Sequence, residues 1–167
     1  MLMDATNPVV QLCVQGMMAE GEGRRDDARW LFAHAWATST DDVERCIAAH
    51  YLARHQAHPE RTLHWNREAV TRARMTGDDR VRSFYPSLYL NLGKSYEDLG
   101  QRDEARRCYD VAAESVADLP TDGYGTMMRR GITAGQRRTA ASDGCDHTAQ
   151  MSGSPHEPKS PALTPHR

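Results

Sequence analysis

Two stretches of this chain carry the same spaced set of small and aromatic residues, a pattern that few folds satisfy. Across residues 86–119, PSLYLNLGKSYEDLGQRDEARRCYDVAAESVADL, these are Leu92, Gly93, Tyr96, Gly100, Ala105, Tyr109 and Ala112. In VVQLCVQGMMAEGEGRRDDARWLFAHAWAT, beginning at Val9, Gly16, Ala19, Gly23, Ala28, Phe32 and Ala35 fall at the same offsets. Gly93 and Ala105 are small because two helix axes must approach closely, and a larger side chain in a filled contact forces strain. Tyr96, Leu92 and Tyr109 fill the space so left. Gly100 suits the left-handed residue that closes a helix, and Asp103 then caps or charges the start of the next. Where Ala19 replaces a tyrosine, Trp30 or Trp36 is expected to fill the gap from the second helix.

The spacing resembles the tetratricopeptide repeat, W-x2-L-G-x2-Y-x3-G-x4-A-x3-F-x2-A, with Tyr89 standing where the Trp would be. A third, worn copy begins near Asp41. Ala48, Tyr51 and Ala69 match it, whereas His55, Thr62 and Asn66 stand where Gly, Ala and an aromatic are expected. Pro59 suits the first turn of that copy's second helix. The copies start near residues 9, 41 and 86, so one interval is stretched. The excess, AVTRARMTGDDRVRSFY, reads as a longer second helix, a break at Gly77-Asp78-Asp79 and an early start to the third repeat. Tyr85-Pro86 is then a true helix start or a kink, and a kink is slightly favoured.

The resemblance implies an all-α, right-handed solenoid of about three helix hairpins over residues 7–138. Repeats are expected near 9–40, 41–77 and 78–119, with a terminal covering helix near 122–137. On that helix Tyr124, Met127, Met128 and Ile132 share one face, Arg129 and Arg130 point away, and Gly131 and Gly135 weaken it. The resemblance further implies a non-enzymatic scaffold that binds a protein or peptide in a concave groove. Transferred to this chain, the groove positions are Cys13, Met17 and Glu20, then Arg45, Ala49 and Leu52, then Leu90, Lys94 and Glu97. Some family members clamp a terminal carboxylate there, and only Asn91, Lys94, Arg45 and Arg54 offer that here. A monomer and a homodimer joined through an exposed repeat edge both stay open.

Composition fits a compact domain with a tail. The 167 residues are 39% hydrophobic and 26% charged with a formal net charge of −2, so no polyanionic partner is demanded. The excess of Arg over Lys points to a GC-rich, actinobacterial-type genome. No apolar run has membrane length and no secretory leader is evident, so a cytoplasmic location is expected. From Thr139 onward the sequence is rich in Ser, Pro, Thr and Gly and poor in large apolar residues, and residues 139–167 are expected to be disordered. Cys13, Cys46, Cys108 and Cys145 lack metal-type spacing and read as reduced thiols.

The rival to a scaffold is a small helical enzyme, or a metal or pH sensor, built on His50, His55, His58 and His64 with Arg54, Glu60 and Asn66 nearby. His50 and His55 are five apart, which is not the spacing that sets two ligands on one helix face, and no HExxH motif occurs. No phosphate-binding glycine motif follows a strand, so no cofactor and no metal are expected. Arg129, Arg130, Arg137 and Arg138 form a basic end, but without interleaved aromatics a nucleic-acid partner is not expected.

Overall fold

The computed structural model describes residues 4–77 and 79–140, and these are all-helical, with seven α-helices and no strand among them. The helices are α1 (Pro8–Gly21), α2 (Arg25–Thr38), α3 (Asp42–Leu52), α4 (Pro59–Thr76), α5 (Tyr85–Asp98), α6 (Arg102–Glu114) and α7 (Gly123–Ala140). The most extensive contacts are α1 with α2, α3 with α4 and α5 with α6. Each pair also packs on the next through α2 with α3, α4 with α5 and α6 with α7. Two pairs of alternate helices touch as well, α1 with α3 and α5 with α7, whereas α3 and α5 pack against each other far less.

Local chemistry explains most boundaries. Asn7 caps α1 by accepting from the backbone N–H groups of Val9 and Val10 at 2.9 and 3.1 Å, and Pro8 follows where a missing N–H does no harm. The same Asn7 donates through Nδ2 to Glu44 Oε1 at 2.7 Å, tying the start of α1 to α3. Asp41 caps α3 through Glu44 N–H at 2.8 Å. Pro59 opens α4, and Gly77 ends it with φ +56°.

The duplicated residues make duplicated geometry. Gly23 and Gly100 both have positive φ, +79° and +73°. After each, the next N–H reaches back to a carbonyl five residues earlier, Arg24 to Ala19 and Gln101 to Tyr96, both at 2.9 Å. An aromatic ring of the second helix then lies across the glycine of the first. A Cβ on Gly16 would come within 2.4 Å of the Phe32 ring, and one on Gly93 within 2.8 Å of the Tyr109 ring. Phe32, Tyr109, Ala28, Ala105, Ala35 and Ala112 are all fully buried. At α6 the first-turn acids Asp103 and Glu104 supply charge rather than a cap, since Gln101 occupies the cap position without a side-chain bond.

Three expectations change here. Neither tryptophan turns in to fill the place left by Ala19: Trp30 is exposed and Trp36 packs edge-on against Trp65, and the rings stacked on Phe32 at 5.3 and 5.4 Å are Tyr51 and His55. The stretch before α5 is a short 3-10 segment, Asp79–Phe84, so Tyr85-Pro86 is a true helix start and not a kink in a longer helix. Tyr85 anchors that start by donating from its hydroxyl to Ala73 O at 3.2 Å. The last helix runs to Ala140, past the expected boundary at 138, because Thr139 is buried and bonds back to Gly135 O at 3.0 Å. The tail expected to be disordered otherwise lies outside the described residues, as does Cys145.

The buried face of α7 also differs from the expected one. It is made by Gly125, Ile132, Gly135 and Thr139, whereas Tyr124 and Met127 are exposed. Gly135 is a packing residue: a Cβ there would fall 2.6 Å from the Tyr109 ring, which is thus held between Gly93 and Gly135. Arg129 does not point away either, since it donates to Leu119 O and Pro120 O at 2.9 and 3.0 Å.

Candidate binding cleft

A cleft of about 410 Å³ opens where α3 and α5 stand apart. His50, Ala53 and Arg54 form one wall, Ser87, Asn91, Lys94, Ser95 and Asp98 of α5 the other, Thr62 and Asn66 of α4 the floor, and Tyr124, Met127 and Met128 of α7 one end. Its position follows from the residues that α4 contributes. In the other two hairpins an alanine and a ring fill the corresponding floor, Ala28 with Phe32 and Ala105 with Tyr109. Thr62 and Asn66 stand at those places here, and without a ring the space between α3 and α5 stays open.

The floor is polar and partly unpaired. Asn66 is 3% exposed and donates through Nδ2 to Ser95 Oγ at 2.8 Å and to Asn91 O at 3.4 Å. Ser95 Oγ in turn donates to Asn91 O at 3.0 Å. These bonds fix the amide and leave Asn66 Oδ1 buried without a partner. His50 Nδ1 is also buried and unpaired. Burial, with the Arg54 charge adding to it, holds the His50 imidazole down at about 4, so it is neutral at pH 7.

At the rim the charges are paired. Arg54 lies 3.0 Å from Glu20 and Lys94 bonds to Asp98 one helical turn away. The cleft therefore combines an apolar end with a nearly charge-neutral polar floor.

Of the expected groove and clamp residues, Arg54, Asn91 and Lys94 line this cleft. Leu52 is core instead, at 5% exposed, as are Cys13 and Ala49, because α3 and α1 turn those faces toward their own hairpin partners and toward each other. Burial pushes the Cys13 and Cys46 thiols up to about 12, so both are protonated and unreactive at neutral pH. Met17 is exposed on α1, and Arg45 and Leu90 are half-buried without lining the cleft. Glu20 is engaged by Arg54. Glu97 is not presented to a ligand but ties three helices together, accepting from Tyr109 Oη at 2.6 Å and from Arg138 at 2.6 and 2.9 Å. Arg138 foremost holds its carboxyl down at about 2, below the usual carboxylate range. Arg129 and Arg138 are thereby withdrawn from the expected basic end.

The four histidines do not converge. His50 lines the cleft, whereas His55 packs on Phe32 with Nε2 3.3 Å from Glu20 Oε1, too poorly aligned for a hydrogen bond. Desolvation lowers the His55 pKa against the opposing pull of Glu20. His58 is exposed at the start of α4, and His64 is exposed and edge-on to Trp65. Among the described residues no three His, Cys, Asp or Glu side chains gather as a metal site, and no helix is long and apolar enough to cross a membrane. No known protein family, curated protein or solved structure matched the chain.

Proposed function

We propose that this chain is a non-enzymatic interaction module, a tetratricopeptide-like scaffold that binds a peptide segment of another protein in the cleft between α3, α5 and α7. The observation that carries this reading is the cleft itself: a concave site of ligand-binding size with an apolar end and convergent polar groups. The repeat assignment is supported by the duplicated contact of a glycine with an aromatic ring, Gly16 with Phe32 and Gly93 with Tyr109. It is supported too by α7, which packs on α6 and α5 as α3 packs on α2 and α1. In this reading α1, α3, α5 and α7 are successive inner helices of a right-handed solenoid.

The test is selection from a random displayed peptide library on the immobilised full chain, with counter-screening on Tyr124→Asp/Met127→Asp. Both side chains are exposed, so the double change should leave the fold intact. The expected outcome is a convergent peptide motif whose binding falls at least tenfold in that variant and is unchanged by Arg67→Glu on the exposed face of α4. Peptides that ignore the α7 substitutions, or a library that yields no motif, would overturn the reading.

A further inference from the structure

Asn66 is the feature that the packing of the three hairpins does not explain. A buried amide in place of the ring found in the other two hairpins removes apolar contact; its Nδ2 ties α4 to α5 through Ser95 and Asn91, but its carbonyl oxygen is left unpaired, a cost those bonds do not offset. His50 adds a second unpaired atom, the ring nitrogen Nδ1, on a residue lining the same cleft. Polar atoms so placed are satisfied when a ligand supplies the missing partners.

The chemistry of that ligand follows from donors, acceptors and charge. Asn66 Oδ1 is a carbonyl oxygen and accepts only, and the Nδ2 donors of the same amide are already committed to Ser95 and Asn91. With the proton of the neutral imidazole on Nε2, the tautomer this proposal requires, His50 Nδ1 is likewise an acceptor. A carboxylate brings no donor to either atom and would place a charge against two acceptors. Nor does the rim call for an anion, since Lys94 is matched by Asp98 and Arg54 by Glu20. An ammonium or guanidinium would face Arg54 and Lys94. A hydroxyl has a single proton to give. A primary carboxamide has two N–H groups for the two acceptors, and its carbonyl can accept from the rim cations.

We propose that the cleft is a recognition pocket for a primary carboxamide, the side-chain chemistry of glutamine and asparagine, with Asn66 and His50 as its reading residues. In the setting of the interaction module proposed above, on which this rests, the carboxamide belongs to a peptide, with Tyr124, Met127 and Met128 covering the adjoining apolar part. A free amino acid carries the same group, and the test separates the two sources.

Full-length protein labelled with ¹⁵N and ¹³C is titrated with propionamide, propionate and 1-propanol, following the Asn66 and Ser95 signals and the His50 ring nitrogens. Propionamide is expected to shift these signals saturably, and propionate and propanol to leave them at least tenfold less responsive. Equal responses, or none to propionamide, would overturn the proposal without any variant having to fold. The sources are then compared with free L-glutamine and with three acetylated pentapeptides, Ala-Ala-X-Ala-Ala N-methylamide, in which X is Gln, Glu or Leu. Binding of the Gln peptide at least tenfold tighter than its Glu and Leu counterparts and than L-glutamine supports both the carboxamide pocket and the peptide module. L-glutamine binding tighter than any peptide keeps the pocket and sinks the module. Three equally bound peptides keep the module and sink the pocket. In Asn66→Leu the preference for propionamide and for Gln is expected to vanish.

Discussion

Gly135→Ala is expected to destabilise the protein, against the usual gain from replacing a helical glycine. Alanine in a helix interior is favoured over glycine by about 1 kcal/mol. Opposing that, the new Cβ would lie 2.6–2.7 Å from three carbons of the Tyr109 ring. Carbon atoms rest at about 3.5–4.0 Å, so the overlap is close to 1 Å. A ring at a free surface would swing away, but Tyr109 is fully buried and its other side meets the Gly93 backbone, where a Cβ would stand 2.8 Å off. Its hydroxyl is held by Glu97 as well. Overpacking of this kind costs about 1–3 kcal/mol, toward the upper end where neither side can yield. The net loss is about 1–2 kcal/mol, or a fall in Tm of about 3–8 °C for a domain of this size.

The assay is thermal and urea unfolding followed by far-ultraviolet circular dichroism. Two comparisons isolate the cause. Gly131→Ala, whose Cβ would meet only the flexible tip of Leu90 at 3.1 Å, should be neutral or stabilising. In a Tyr109→Leu background the Gly135→Ala penalty should shrink by at least about 1 kcal/mol, the coupling that contacting residues show. A Gly135→Ala protein as stable as the parent would refute the docking of α7 on the Tyr109 ring.

Three further outcomes are expected. The Glu97 carboxyl sits at about 2 in the folded chain against an ordinary 4.5, so its contribution is full above pH 4.5 and lost as pH falls toward 2. Urea midpoints measured across that window should therefore fall more steeply for the parent than for Glu97→Gln and converge near pH 2; parallel curves would mean that the Arg138 and Tyr109 contacts contribute nothing. Purified protein should carry no stoichiometric transition metal by elemental analysis, and a chelator should leave its Tm unchanged, since His50, His55, His58 and His64 face different surroundings; zinc lost on His50→Ala would restore the sensor reading. Truncation after Ala140 should preserve Tm, because residues 141–167 have few large apolar side chains to bury, whereas truncation after Arg138 should lower it by removing Thr139. Equal stability of the two truncated chains would contradict the extension of α7.

What was legible in the sequence was what short-range chemistry dictates. Pro59, Gly77, Gly23 and Gly100 announce helix ends because φ and a missing N–H are properties of single residues, and the structure places each at an end. Gly135 misled because helix propensity is all a lone helix reveals. Its value lies in approach to Tyr109, from another helix. Glu97 was misplaced for a similar reason, as Arg138 lies 41 residues further along the chain. The cleft was hidden in plain view: Thr62 and Asn66 looked like erosion of a pattern. A missing ring becomes a site only once the separation of α3 and α5 is seen.

The most direct measurement of the binding reading is the map of a selected peptide on the isotopically labelled full chain, read from chemical-shift changes at saturation. The account predicts that the largest shifts cluster at Asn66, Ser87, Asn91, Ser95 and the α7 residues Tyr124, Met127 and Met128, while Arg67, Arg74 and Arg107 on other surfaces stay unmoved. Shifts centred on those outer arginines, or spread evenly without a cluster at the cleft, would contradict it.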